Sequence, residues 1–111
     1  MRYLTTKPRI ASYPDALIAA KGSRLSFERK PTEWAGWLWC TDLSGKFGWV
    51  PESWVDINGD QCTLIRYYST AELTVGVGDI VDGDITESGW AWVKNQNDKQ
   101  GWVPLDCLKK I

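Results

Sequence analysis

The chain has 111 residues, of which 43% are apolar and 24% charged, with a formal net charge of −1. This balance is typical of a folded globular protein and excludes a long disordered chain. Histidine is absent, which removes the usual general base and the commonest transition-metal ligand. We therefore expect no enzyme, no metal site and no cofactor. A charge near zero without a basic stripe also argues against a nucleic-acid partner.

The N-terminal residues MRYLTTKPRIASY lack the apolar run of a signal peptide, and no stretch approaches membrane-spanning length. We expect a cytoplasmic protein with no membrane partner. The cysteines Cys40, Cys62 and Cys107 are odd in number and show no CxxC spacing, so reduced thiols are expected rather than a disulfide framework or a zinc site.

The first clear element is a hairpin. In WLWCTD (residues 37–42) side chains alternate, which predicts a strand with Leu38 and Cys40 facing the core. A serine–glycine pair then predicts a turn, and FGWVP (residues 47–51) a return strand with Val50 inward. By the same alternation, the opposite face is expected to carry two tryptophans and a proline. Pro51 is expected to end the ladder, because proline has no amide donor.

The same hairpin recurs further along the chain. Trp37 and Trp90 are 53 residues apart, and so are Trp49 and Trp102. The chain therefore contains two copies of one small all-β unit. The turn-forming residues Asn58-Gly59-Asp60 suggest the seam, which predicts domains at residues 1–57 and 58–111.

The order of motifs resembles the Src homology 3 (SH3) family twice over. The second copy reads TLIRYYSTAELTVGVGDIV, SGWAWVKN and QGWVPLDCL, and the first reads YPDALIAAKGSRLSF, AGWLWCTD and FGWVPESWV. The family pattern is an ALYDY stretch, a leucine and a GD turn, a GW hairpin and a final Pro-Ser-Asn-Tyr-Val turn. The resemblance implies two SH3-like small β-barrels in tandem.

The resemblance also implies a function, the binding of proline-rich peptides in the polyproline II conformation across an aromatic groove. Carried over position by position, it implies these peptide-binding residues: Tyr13, Trp37, Trp49, Pro51, Trp54, Tyr67, Trp90, Trp102 and Pro104. Ile65 and Cys107 stand where the family has tyrosines, so the first copy is expected to be the better binder. Trp39 and Trp92 are expected to pack on the outer surface instead.

Four carboxylates in GDIVDGDITE, namely Asp79, Asp82, Asp84 and Glu87, lie near the loop that in the family reads a ligand's basic flank. They either read a ligand arginine or form a solvated loop. Two alternatives to the peptide-binding module remain open. One is a structural protein whose two barrels pack together or self-associate with their grooves blocked, and the other is an SH3 domain that binds cell-wall peptide.

Overall fold

The computed structural model describes residues 1–12, 16–31 and 35–111, so the predicted site residue Tyr13 lies outside the described residues. The strands are β1 (Arg2–Thr5), β2 (Ile18–Ala19), β3 (Arg24–Glu28), β4 (Trp37–Thr41), β5 (Phe47–Pro51), β6 (Val55–Asn58), β7 (Gln61–Leu64), β8 (Tyr68–Ser69), β9 (Ile80–Glu87), β10 (Trp90–Lys94), β11 (Gln100–Pro104) and β12 (Leu108–Lys110). Two 3₁₀ turns, Glu52–Trp54 and Leu105–Cys107, are the only helical elements in these described ranges. The predicted all-β class is confirmed.

The chain divides into two compact units. One, which we call the continuous unit, is Asp15–Thr70. The other, the discontinuous unit, combines Met1–Pro14 with Ala71–Ile111.

The two units have corresponding sheets. In the continuous unit the strand order is β5-β4-β3-β7-β6, with a separate pair formed by β2 and β8. In the discontinuous unit the order is β11-β10-β9-β1-β12. All of these pairings are antiparallel. Each sheet therefore has a hairpin at one end, the strand after a 3₁₀ turn at the other, and two strands between them.

The predicted inward faces are confirmed in both units. In the continuous unit Leu38, Cys40 and Val50 have no exposed surface. The discontinuous unit buries the equivalent positions in a core cluster that consists of Tyr3, Leu73, Val75, Val81, Ala91, Val93, Val103 and Cys107. Because strand side chains alternate, each hairpin contributes every second residue to its core.

The strands at the start of each repeat copy are exchanged. β1 belongs to the first copy but pairs with β9 and β12, and β7 belongs to the second copy but pairs with β3 and β6. The two strands have the same register in their sheets. Tyr3 lies opposite Val81, and Cys62 lies opposite Leu25, which is the residue equivalent to Val81. Each copy therefore supplies its first strand to the sheet that holds the hairpin of the other copy.

The compact units consequently differ from the predicted division between residues 57 and 58. That point falls within the β6–β7 hairpin, where Asn58 pairs with Gln61 across a tight turn. Gly59 sits at this turn with a φ of +68°, a conformation that glycine adopts without a steric penalty. The turn formers that suggested the seam therefore close a hairpin inside the continuous unit.

Candidate functional site

The predicted aromatic face of the first hairpin lies on one side of β4 and β5. Trp37 pairs with Pro51 and Trp39 with Trp49, while Leu38 and Val50 pair on the core side. Directly opposed residues share a face of the sheet, so three tryptophans and the proline are brought together as the sequence predicted for Trp37, Trp49 and Pro51. Trp37 is only 8% exposed, however, and Pro51 is fully buried.

Trp39 differs from the prediction that it would pack on the outer surface. It is 9% exposed and makes an edge contact with Trp49, with ring centroids 5.1 Å apart. Phe47 lies 5.2 Å from the same ring, and the ammonium of Lys30 lies 4.2 Å from its centroid. Neighbouring rings and the lysine ammonium therefore cover an indole that strand alternation alone would leave exposed.

A second group of side chains surrounds the first 3₁₀ turn. The rings of Trp54 and Tyr68 meet edge to face at 5.2 Å, and the guanidinium carbon of Arg66 lies 3.9 Å from the Trp54 ring centroid. The Tyr68 hydroxyl donates a 2.7 Å hydrogen bond to the carbonyl of Trp49. This bond ties the aromatic group at the turn to the hairpin that carries the other tryptophans.

Tyr68 is a site residue that the sequence reasoning missed, because it chose Tyr67. Tyr67 is 63% exposed, whereas Tyr68 is 2% exposed and contacts Trp54. Tyr68 lies in the short strand β8, beyond a bend at Ile65 and Arg66 that interrupts the alternation of β7, so the local pattern does not single it out. The exchange also assigns both tyrosines to the same unit as Trp37 and Trp54.

The discontinuous unit keeps the hairpin but changes the turn. Trp90 pairs with Pro104 and Trp92 with Trp102, and the Trp92 and Trp102 rings lie 5.5 Å apart. Trp90, Trp102 and Pro104 are all buried, and Trp92 is half-buried. At the 3₁₀ turn, however, Cys107 stands where the continuous unit has Trp54.

Arg9 takes the place that Tyr68 has in the continuous unit. Arg9 pairs with Val75, and Tyr68 pairs with Ala19. Ala19 and Val75 are equivalent positions of the two units, because they are 56 residues apart, the same separation as Leu17 and Leu73. The Arg9 guanidinium carbon lies 4.8 Å from the Trp90 ring centroid, and Arg9 also contacts Glu72 at 3.6 Å. A cation therefore covers the tryptophan that corresponds to Trp37.

The four candidate charge readers lie along or beside β9. Asp82 is 3.0 Å from the guanidinium of Arg2, and Asp84 is 2.7 Å from the ammonium of Met1. Asp79 accepts a 2.8 Å hydrogen bond from the amide of Gly76, and Glu87 is half-buried. Two of the four carboxylates thus face cations of Met1 and Arg2, at the start of the strand next to β9.

Several ionisable groups are perturbed by their surroundings. Arg29 donates to Glu52 at 2.8 Å, and this bond holds the pKa of the Glu52 carboxyl below its ordinary value. Burial raises the pKa of the Cys40, Cys62 and Cys107 thiols, so these thiols resist ionisation. Within the described ranges no three cysteine or acidic side chains group in a way that would hold a metal ion.

Comparisons with known proteins give no relative. No protein-family model matches the chain, and neither curated proteins nor solved structures give a match. In the part of the chain that the structure describes, no helix has the length and apolar character needed to cross a bilayer.

Proposed function

We propose that the protein is a non-enzymatic interaction module built from two SH3-like units, and that its continuous unit binds proline-rich segments. The element order supports the SH3-like assignment. In both units a three-stranded group ends in a 3₁₀ turn, and the strand after the turn pairs with the first strand of a repeat copy, β7 in one unit and β1 in the other.

The observation that carries the peptide-binding proposal is the aromatic group at the first 3₁₀ turn. Trp54 contacts both Tyr68 and Arg66, and Tyr68 is hydrogen-bonded to the β4–β5 hairpin through the Trp49 carbonyl, whereas the corresponding turn in the discontinuous unit has Cys107. Proline rings stack on flat aromatic faces, and a polyproline II ligand loses little entropy on binding. Tyr67, the neighbour of Tyr68 in sequence, is 63% exposed.

Binding requires Arg66 to move, because its guanidinium covers the face of Trp54. Such a cation–π contact at an exposed position stabilises by about 0.5–1 kcal/mol. A ligand proline can displace it at that modest cost. Removing the guanidinium should therefore strengthen binding by roughly two- to fivefold, which corresponds to the same free energy.

The test is an NMR titration of the indole N–H groups with a pool of PxxP peptides. The indole signals of Trp37 and Trp54 should shift saturably, while those of Trp90 and Trp102 stay in place. The same pool with alanine in place of proline should shift none of them. Arg66→Ala should tighten binding, and Lys21→Ala, an exposed lysine of the same unit, serves as its control. The absence of any saturable shift at Trp37 or Trp54 would rule the proposal out.

One observation favours the structural alternative. The rings of Trp37, Trp54, Trp90 and Trp102 are each at most 8% exposed, so these side chains serve as packing in the structure as it stands. If the titration moves no indole while substitution of Trp37 or Trp90 by alanine unfolds its unit, the rings are structural. The chain would then be better described as a structural protein with blocked grooves.

A further inference from the structure

A cavity of about 470 Å³ opens in the discontinuous unit. It lies between the segment around Thr74 and the turn that joins β10 to β11. Its polar lining consists of Glu72, Thr74, Asn95, Asn97, Lys99 and Gln100. A volume of this size accommodates a small ligand or a few peptide residues.

The hydrogen bonds that the lining residues make leave the cavity rich in hydrogen-bond donors. The Oδ1 atom of Asn95 accepts from the amides of Asn97 and Lys99, at 2.9 and 3.1 Å. The Oε1 atom of Gln100 accepts from the indole N–H of Trp92 at 3.0 Å. Backbone amides and indole nitrogens can only donate, so the oxygen of each carboxamide must face them. The two NH₂ groups are thereby turned away from these bonds and remain able to donate.

Two further residues follow the same pattern. The Thr74 hydroxyl oxygen accepts from the amide of Ala11 at 3.0 Å, which leaves its proton for another acceptor. Lys99 is exposed and contributes a positive charge. Glu72, the acidic member, is already engaged, since its Oε1 atom lies 3.6 Å from Arg9 and accepts from the amide of Ser12. The remaining hydrogen-bonding capacity of the lining is therefore mainly that of donors, and Lys99 adds a positive charge.

We propose that this cavity binds a carboxylate group carried by a peptide. A carboxylate offers two acceptor oxygens and a negative charge, which matches NH₂ and hydroxyl donors beside an ammonium. The rest of the cavity would hold the adjoining peptide backbone. This site is independent of the peptide-binding proposal for the continuous unit, because its residues all belong to the discontinuous unit.

The continuous unit offers an internal comparison, because its corresponding residues lack this chemistry. Asp42 occupies the position of Asn95 and accepts from the amides of Ser44 and Lys46 in the same manner. Phe47 stands where the discontinuous unit has Gln100, and Ile18 where it has Thr74. The turn therefore needs only the oxygen at this position, and the donors of Asn95, Gln100 and Thr74 are not required for the fold.

The experiment is an NMR titration of the full chain with acetyl-Gly-Gly-Gly carrying a free carboxylate. The matched probe is the same peptide as its C-terminal amide, and a third probe, acetyl-Gly-Glu-Gly-amide, presents a side-chain carboxylate. The side-chain NH₂ signals of Asn95 and Gln100 should shift saturably with a carboxylate probe and not with the amide. The carboxylate probe that binds more tightly shows whether the site takes a C-terminal carboxylate or a side-chain carboxylate.

Two nearly isosteric variants test the donors directly. Asn95→Asp and Gln100→Glu keep the oxygen that the fold uses and replace the NH₂ donors by a carboxylate oxygen, so each should weaken binding by at least about tenfold. Gln96→Glu adds the same charge in the same turn at an exposed residue outside the lining, and should have a much smaller effect. Backbone spectra of the variants verify that the unit is folded. Equal shifts with the carboxylate and amide probes, or an equal loss with Gln96→Glu, would overturn the proposal.

Discussion

The two units share a strand order but differ in the side chains around their 3₁₀ turns and beside their hairpin turns. The continuous unit has aromatic residues, Trp54, Tyr68 and Phe47, where the discontinuous unit has Cys107, Arg9 and Gln100. The buried pairs Leu38–Val50 and Ala91–Val103 occupy the same places in both. The apolar hairpin pairs are thus kept in both units, and the positions at the turns differ in chemistry.

The exchange of first strands is the part of this comparison that a deletion would test most strongly. Removal of Arg2–Thr5 should unfold the discontinuous unit, because β1 lies between β9 and β12 and β12 would lose its partner. The continuous unit should stay folded, since it takes its corresponding strand from β7. The indole signals of Trp90 and Trp102 would report the loss, and those of Trp37 and Trp49 would report the unit that remains.

Cys62→Asp is the matched control for that deletion. It places a carboxylate at a fully buried position of β7, which is strongly destabilising without a partner. It should unfold the continuous unit and leave Trp90 and Trp102 unchanged. If deletion of β1 instead disturbs Trp37 and Trp49, each copy uses its own first strand and the exchange is wrong.

The inward hairpin positions provide the second test. Leu38→Ala should destabilise the continuous unit by about 2–5 kcal/mol, because it leaves a cavity opposite Val50. The equivalent position of the other unit already holds Ala91, so Ala91→Leu should overpack that core at a cost of about 1–3 kcal/mol. Urea unfolding followed by NMR would measure each unit separately. Leu43→Ala, at a residue that is 98% exposed, should change stability by less than about 0.5 kcal/mol.

Two equivalent buried glycines give a smaller and graded effect. A Cβ atom on Gly101 would lie 2.7 Å from the backbone nitrogen of Leu73, whereas one on Gly48 would meet the side chain of Thr70 at the same distance. Backbone yields less readily than a side chain, so Gly101→Ala should cost more than Gly48→Ala, with both in the range of about 1–3 kcal/mol. The urea midpoints of the two units would give the order. The reverse order would mean that the segment around Leu73 adapts more easily than Thr70.

The sequence was sufficient for the elements that depend on local pattern. Alternation predicted the inward faces of both hairpins, and the constant separation of Trp37 from Trp90 and of Trp49 from Trp102 predicted the repeat. It could not decide which sheet each first strand joins. β1 and β7 have the same pattern of buried and exposed residues, so either strand presents a suitable face to either sheet. Such a choice depends on contacts distant in sequence.

The candidate site was harder to predict for a related reason. A shift of one residue distinguishes Tyr67 from Tyr68, and in a strand that shift changes which face a side chain occupies. The cations that contact the rings of Trp39 and Trp90, namely Lys30 and Arg9, belong to none of the motifs. Motif matching identifies ring positions but not the side chains that cover them.

The hairpin turns of the two units should differ in how their stability responds to pH, which is the smallest of the expected effects. The hydroxyl of Ser44, followed by backbone amides, holds the pKa of the Asp42 carboxyl below its ordinary value. A carboxyl whose pKa is lowered by folding adds stability above its unfolded pKa, and this stability is lost as the pH falls through the folded pKa. Asn95 makes the same bonds with an amide oxygen that does not titrate in this range.

Acidification below about pH 4 should therefore weaken the turn after β4 and spare the Asn95 bonds in the turn after β10. The amide shifts of Ser44 and Lys46, followed from pH 6 to pH 2, should show one transition below the ordinary pKa of an aspartate. Asp42→Asn should abolish that transition, because it gives the first turn the group that the second already uses. Asp98→Asn, in the other turn, should leave it unchanged. A transition that persists in Asp42→Asn would show that another carboxyl controls this turn, and the two turns would then differ in more than the residue that caps them.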